Sequence, residues 1–496
     1  MGVMRFRVPA DYDVNFQDDL LRGYVTGQDR TPLPTRTNLR GDTLHLEREM
    51  NDSGAVYVPY KISGIGEMMT CTGSLMERAQ SYDLSIELLR GKINQIRNQY
   101  AEWQIGGLHT SPELEQMTKQ ATHLLCQAIL DVSENPQKAD QVAHQGLTQA
   151  FKAADFLMSR YTSQVFAMRH ARLPKFDTFL GCKLIQSPPE HLREAYRLAF
   201  NAVSARLAWR DIEATEGNYN WSQADELIEW ARSNDMPVTA GPLLDLTRNG
   251  LPKWVLDSTR NDPVSLRSLL CDYVDTVVTR YRGKISRWTI STGSGGNFDL
   301  HLSEEEVIRL TASLAEAAWQ VDSNLEVYLG LSQPWGDYLT TSTFEYSPFV
   351  LADTLLRANM PFAGLELELI MGSGPRGNYT RDLLETSRML DFYGLLGSPI
   401  HIVLGYPASK NPDPQADPAE CASGGSWLGF NETSQAQWAG AFANMGLAKS
   451  YVTGVFWDHL SDLEPHRVPH GGLLSPEGRF RPAFDKFHEL REKHLS

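Results

Sequence analysis

From Phe179 to Trp457, short apolar runs alternate with longer segments of helical period. The runs FLGCKLI, AVSARLA, MPVTAGPLL, ISRWTIS, LEVYLGL, FAGLELELI, PIHIVLG and YVTGVFW have strand length and strand residues. Between them lie amphipathic segments such as PPEHLREAYRLAF, SQADELIEWARSN, SEEEVIRLTASLAEAAW and TRDLLETSRMLDFYG. Strands that alternate with helices form a parallel sheet, because each crossover must return the chain to the same edge. Eight such units in about 320 residues predict an α/β fold, a closed (β/α)8 TIM barrel spanning residues 174–496.

The pattern before the barrel is different. MRFRVP, TLHLERE and AVYVPYKI alternate apolar and polar residues, with turn formers at Arg40-Gly41-Asp42 and Asn51-Asp52-Ser53-Gly54. From Tyr82 the period becomes helical, through Leu84, Leu88, Leu89, Ile93 and Ile96. Residues 1–105 therefore read as a small β-rich domain closed by a helix. Residues 106–173 are almost all helix formers, divided at Asn135-Pro136. Leu147, Phe151, Ala154, Leu157 and Phe166 give this segment an apolar face. It is expected to brace the two domains, with a homodimer interface as the alternative.

Composition narrows the partners. A formal charge of −15 on 496 residues argues against nucleic acid or an anionic membrane and suits a neutral ligand. Cys71, Cys126, Cys182, Cys271 and Cys421 are scattered without metal-ligand spacing, so neither a disulfide framework nor a zinc site is expected. Nothing calls for a cofactor. The N-terminal MGVMRFRVPADYD has no apolar core of a signal peptide, and the chain as given reads as cytoplasmic unless a leader has been removed.

Several barrel segments resemble glycoside hydrolase family ten, the xylanase family. The stretch DIEATEGNYNWSQADELIEWARSNDMPVTAGPLL is similar to that family's passage from second to third strand. LPKWV, YRGKISRW, VFWDHLSD and GGLLSPEGRFRPAFDKF follow in the family's order. The resemblance implies a retaining mechanism with two glutamates, an acid/base after strand four and a nucleophile after strand seven, about 5–5.5 Å apart. At the corresponding positions this sequence has Gly293 and Leu404, and Gly241 replaces the family's third-strand histidine. The mechanism implied by the resemblance therefore lacks both of its carboxyl groups.

Other acidic groups remain. In Leu365-Glu366-Leu367-Glu368-Leu369, alternation sends the leucines to the helices and both glutamates into the barrel. Glu366, Glu368 and Asp458 are the candidate relocated catalytic carboxylates, with Asp245 a further one. Arg206 is a candidate partner of the glutamates, and Arg206 and Asp245 are also candidate substrate-binding residues. A buried ion-pair network filling the lumen is the alternative for the glutamates. Trp335 after strand five, Trp427 in the long loop after strand seven and Trp457 at the end of strand eight fall at the catalytic end of the barrel and are candidate sugar-stacking residues. The long loop ASKNPDPQADPAECASGGSWLGF reads as a lid or a solvated insertion. His466 and His470 have metal-like spacing, but their proline-rich setting favours a plain loop, and no metal is expected.

Three functions stay open: a protein that binds β-linked glycan without the retaining mechanism, a hydrolase with relocated carboxylates, and a structural protein on a degenerate barrel.

Overall fold

The structure, a computed structural model, describes residues 2–496 except 11, 13–16, 28, 110, 247–249, 260–261, 292–301, 341–343, 375–376 and 419. Eight parallel strands close a barrel in sequence order, the last pairing with the first. They are Phe179–Leu184, Ala202–Ala205, Val238–Ala240, Arg287–Ser291, Glu326–Ser332, Gly364–Ile370, Ile400–Gly405 and Val452–Trp457. Local chemistry starts the crossover helices where expected. Asp262 accepts hydrogen bonds from the backbone N–H of Val264 and Ser265 ahead of Pro263–Arg280, and Ser303 with Glu306 forms a capping box for Glu304–Val321.

Strand alternation sorts the barrel into two cores. Leu365, Leu367, Leu369, Ile402, Leu404, Val455 and Trp457 join the core shared with the helices. Phe179, Ala202, Ile370, Val403 and Phe456 form a separate cluster in the lumen. Glu366 and Glu368 therefore face inward, as the sequence alternation predicts. The phase also places Leu404 on the helix side. Its neighbour two residues back, Ile402, packs against Gly446 of the helix Glu432–Ala448, whereas Gly405 faces Ile370 and Asp458 at the mouth.

The N-terminal region contributes to two sheets. Arg36–Arg40, Thr43–Arg48, Gly2–Arg7 and Tyr82–Asp83 form the first, in that order. The second runs Ser426–Trp427, Gly66–Leu75, Gly54–Ile62, Tyr24–Thr26, Pro32–Leu33. Its edge strand Ser426–Trp427 comes from the long loop of the barrel. That loop is thus a strap and not a free lid. Leu428 N–H donates to Ile65 O (3.0 Å), and Thr380 binds Gly424 O and Gly425 O.

The helices Leu84–Ile105, Pro112–Asp131 and Pro136–His170 pack together beside these sheets. Pro136 and the Asn135 cap, which accepts from Lys138 N–H, start the longest helix. It touches the N-terminal strand Gly54–Ile62 and the barrel helices Leu383–Gly394 and Glu432–Ala448. A buried ion pair ties the regions further: Lys92 Nζ lies 2.5 Å from Asp382 Oδ2, and the same Asp382 caps the helix Leu383–Gly394. Among the described residues, no helix is long and apolar enough to cross a membrane.

Candidate active site at the barrel mouth

The lumen fills in layers, as inward side chains of alternate strands must. At the base, the Arg287 guanidinium lies over the rings of Phe179 and Tyr328, and His401 stacks on Tyr328 at 4.3 Å. Burial and the charges of Arg287 and Lys183 push the His401 imidazole well below its usual pKa, so it is neutral. Above it, Lys183 Nζ donates to Glu366 Oε1 (2.9 Å) and Thr289 Oγ1 to Glu366 Oε2 (3.1 Å). Glu366 and Lys183 are 5% and 6% exposed, so this pair is closed off from any ligand. A buried carboxylate with its charge matched and both oxygens hydrogen-bonded is a structural group.

The next layer reaches solvent. Arg467, from the loop after strand eight, forks onto Glu368 with Nη1–Oε2 at 2.8 Å and Nη2–Oε1 at 2.9 Å. The same guanidinium donates from Nε and Nη2 to Asp458 Oδ1, at 2.9 and 2.6 Å. One arginine thus holds two of the three candidate carboxylates. Burial would raise the Asp458 pKa, but Arg467 and His459 outweigh it and hold the carboxyl well below its usual range. An acid that stays ionised has no proton to deliver to a leaving group.

His459 continues the network. Its Nδ1 faces Asp458 Oδ2 at 3.4 Å and its Nε2 faces Asp462 Oδ1 at 3.2 Å. Burial lowers its pKa, yet the hydrogen bonds to the two carboxylates prevail and raise it to about 9. It is an imidazolium at neutral pH. Asp462 also pairs with Arg481 at 2.6 Å. His466 and His470 both turn to Asp413: His466 Nε2 lies 3.0 Å and the His470 backbone nitrogen 2.7 Å from its Oδ2. His459, Asp462 and His466 are close enough to suggest a cation site. However, the rings of His459 and His466 are stacked within 8° of parallel at 4.4 Å. Imidazole lone pairs lie in the ring plane, so two stacked rings aim them along separate planes and not at one ion.

A small pocket opens beside this network, lined by Gln333, Glu368, Ser373, Asn378, Glu420 and Arg467. Glu420, from the strap, accepts from Ser373 Oγ at 3.2 Å. Neither Arg467 nor Glu420 stood out in the sequence. Arg467 lies in a proline-rich loop without periodicity, while Lys183 did carry a signal, a lysine in inward phase on an apolar strand.

The remaining predicted residues disperse. Trp457 is fully buried on the helix side, its Nε1 donating to Gly471 O at 2.8 Å and its ring packed on Trp438 and Phe487. That placement corrects its assignment as a sugar platform. Trp427 is half-buried in the strap strand, edge-on to Phe442. Trp335 lines a different cleft, with Arg381 across one face at 4.4 Å. Arg206 is partly exposed just past the second strand, and the glutamates take Lys183 and Arg467 as partners in its stead. Asp245 is partly buried in the loop after strand three, against Gly250. Gly241 has no room for a side chain, since a Cβ there would lie 2.6 Å from Thr289 O. Gly293 lies outside the described residues.

Comparison with known proteins places this geometry in context. Residues 176–291, from the approach to strand one through strand four, match the model for glycosyl hydrolase family 10. Endo-1,4-beta-xylanase 3 of Hypocrea jecorina is 33% identical over 84 residues, 17% of this chain and 23% of that protein. Endo-1,4-beta-xylanase C of Paenibacillus barcinonensis is 31% identical over 132 residues, 23% of this chain and 12% of that protein. The chain thus spans about a quarter or less of the length of these relatives. Among solved structures, xylanase 10B from Thermotoga petrophila in complex with xylobiose aligns with 67% of this chain and 96% of its own, at 15% identity and TM-score 0.47.

Proposed function

We propose, from the premise that residues 176–291 are a glycosyl hydrolase family 10 region, that this protein binds a β-linked oligosaccharide at the barrel mouth without retaining hydrolysis. The relatives are named as xylanases, so a β-1,4-linked xylose chain is the first ligand to test. The observation that carries the reading is the Arg467 fork. Retaining hydrolysis needs one carboxyl group that is protonated and another that is free to attack. Glu368 and Asp458 are both held by one guanidinium, and Glu366 is sealed beneath them. The described part of strand four, RWTIS, and the whole of strand seven, IHIVLG, contain no carboxylate. The pocket lined by Gln333, Ser373, Asn378 and Glu420 is polar, as a site for sugar hydroxyls would be.

Binding and hydrolysis are best measured together on xylobiose to xylohexaose. The expected outcome is saturable binding with no new reducing ends. Turnover that disappears in Glu368→Gln would overturn the reading in favour of a relocated mechanism. One observation favours that second reading: Glu368 and Glu420 line a single pocket. Glu420→Gln should then abolish turnover as well. Dimerisation through the helical segment remains a separate proposal, checked by sedimentation of the full chain.

A further inference from the structure

A second cleft, between the N-terminal sheet and the barrel, has no part in the reading above. Its barrel wall is aromatic: Trp335 with Phe349 and Phe392, the last two stacked at 3.9 Å. Its sheet wall is the turn between the strands Tyr24–Thr26 and Pro32–Leu33, which brings Asp29 and Arg30 to the rim. The turn is closed by Gly27 N–H to Thr31 O (2.9 Å) and Arg30 N–H to Gly27 O (3.2 Å). Arg30 has φ +65°, a conformation that costs a non-glycine residue free energy and is held here by the turn. It carries the guanidinium to 5.8 Å from the centre of the Phe392 ring. Asp29 and Arg30 are both exposed.

An aromatic wall beside an exposed carboxylate and guanidinium matches the two aspects of a pyranose. The C–H face of the ring packs on flat side chains, and adjacent hydroxyls donate to a carboxylate and accept from a guanidinium. Arg30 matches Asp29 at the rim and Arg388 pairs with the buried Glu385 of the lining, so the balanced charges suit a neutral sugar. We propose that this cleft is a second glycan-binding site, taking a neutral pyranose unit of a β-linked chain. The N-terminal sheet then contributes directly to ligand binding. The ligand class is taken from the mouth reading, but binding at the cleft does not require binding at the mouth.

Calorimetry of the full chain with xylotriose tests the site by stoichiometry. The unmodified protein is expected to bind two molecules, and the cleft variant Arg30→Ala/Phe392→Ala one. A mouth variant, Glu420→Arg, should also bind one. Cleft binding unchanged in Arg30→Ala/Phe392→Ala overturns the proposal, as does loss of all binding in Glu420→Arg. Loss of all binding in the cleft variant alone would instead overturn the mouth reading and leave the cleft standing. No binding by the unmodified chain overturns both. Asp29→Ala guards against a folding artefact. It should weaken cleft binding by about fivefold through one lost hydrogen bond, with an unchanged melting temperature.

Discussion

The barrel mouth and the cleft beside it use charge in opposite ways. At the mouth, Arg467 answers Glu368 and Asp458, His459 bridges Asp458 and Asp462, and Lys183 answers Glu366. At the cleft, Asp29 and Arg30 stand exposed beside aromatic rings. Charges that neutralise one another in a buried network give shape and rigidity but lose reactivity. Exposed polar groups over an apolar floor keep their capacity for a ligand. The lesson is that acidic residues at a barrel mouth do not identify a catalytic centre until their partners are known.

Breaking the deepest pair should produce the largest effect. Lys183→Met leaves Glu366 buried with no countercharge and should destabilise the fold by about 3–5 kcal/mol. Adding Glu366→Gln should restore much of that loss, measured by denaturant unfolding. A single variant as stable as the parent would show that the lumen pair is not closed.

The next largest effect is alkaline. The folded pKa of His459 is raised to about 9, above its ordinary 6.5. Its contribution is therefore complete below pH 6.5 and is lost as pH rises through 9. The span corresponds to roughly 3 kcal/mol at most. His459→Gln should flatten stability between pH 6.5 and 9. The depressed Asp458 has the opposite sign: its contribution is present above the usual carboxylate pKa and fades as pH falls through its lowered value. A parent protein of constant stability across the alkaline range would contradict the bridged imidazolium.

Arg467→Gln should cost less than the lumen change, because the side chain is 35% exposed and water can reach the freed carboxylates. About 1–2 kcal/mol is expected, together with a rise in the Asp458 pKa followed by carboxyl NMR. The smallest effect belongs to the cleft. Arg30→Ala should change stability by less than about 0.5 kcal/mol, since the residue is exposed and its ring contact is at 5.8 Å. A larger loss would make that turn part of the packing between sheet and barrel.

Strand alternation made much of the barrel legible, including the inward turn of Glu366 and Glu368. The same rule read on strands seven and eight gives Gly405 and Asp458 to the mouth and sends Leu404 and Trp457 to the helices. Resemblance to a sequence motif had suggested otherwise for Trp457. Period alone could not reveal the strap. Ser426 and Trp427 pair with Glu67 and Gly66, more than 350 residues away in the chain, and a two-residue strand leaves no repeat to detect. Arg467 was hidden for a related reason, because loop residues meet their partners through tertiary geometry and not through spacing.

Among the described residues of the mouth, Arg467 holds Glu368 and Asp458 and leaves neither free to act as a nucleophile. Incubation with a 2-deoxy-2-fluoro xylobioside carrying an activated leaving group tests this directly, because a retaining nucleophile would be trapped as a stable glycosyl ester. Intact mass spectrometry should find the unmodified chain mass, with xylobiose still bound in a parallel titration. A stoichiometric adduct mapped to Glu368, Asp458 or Glu420 would contradict the account.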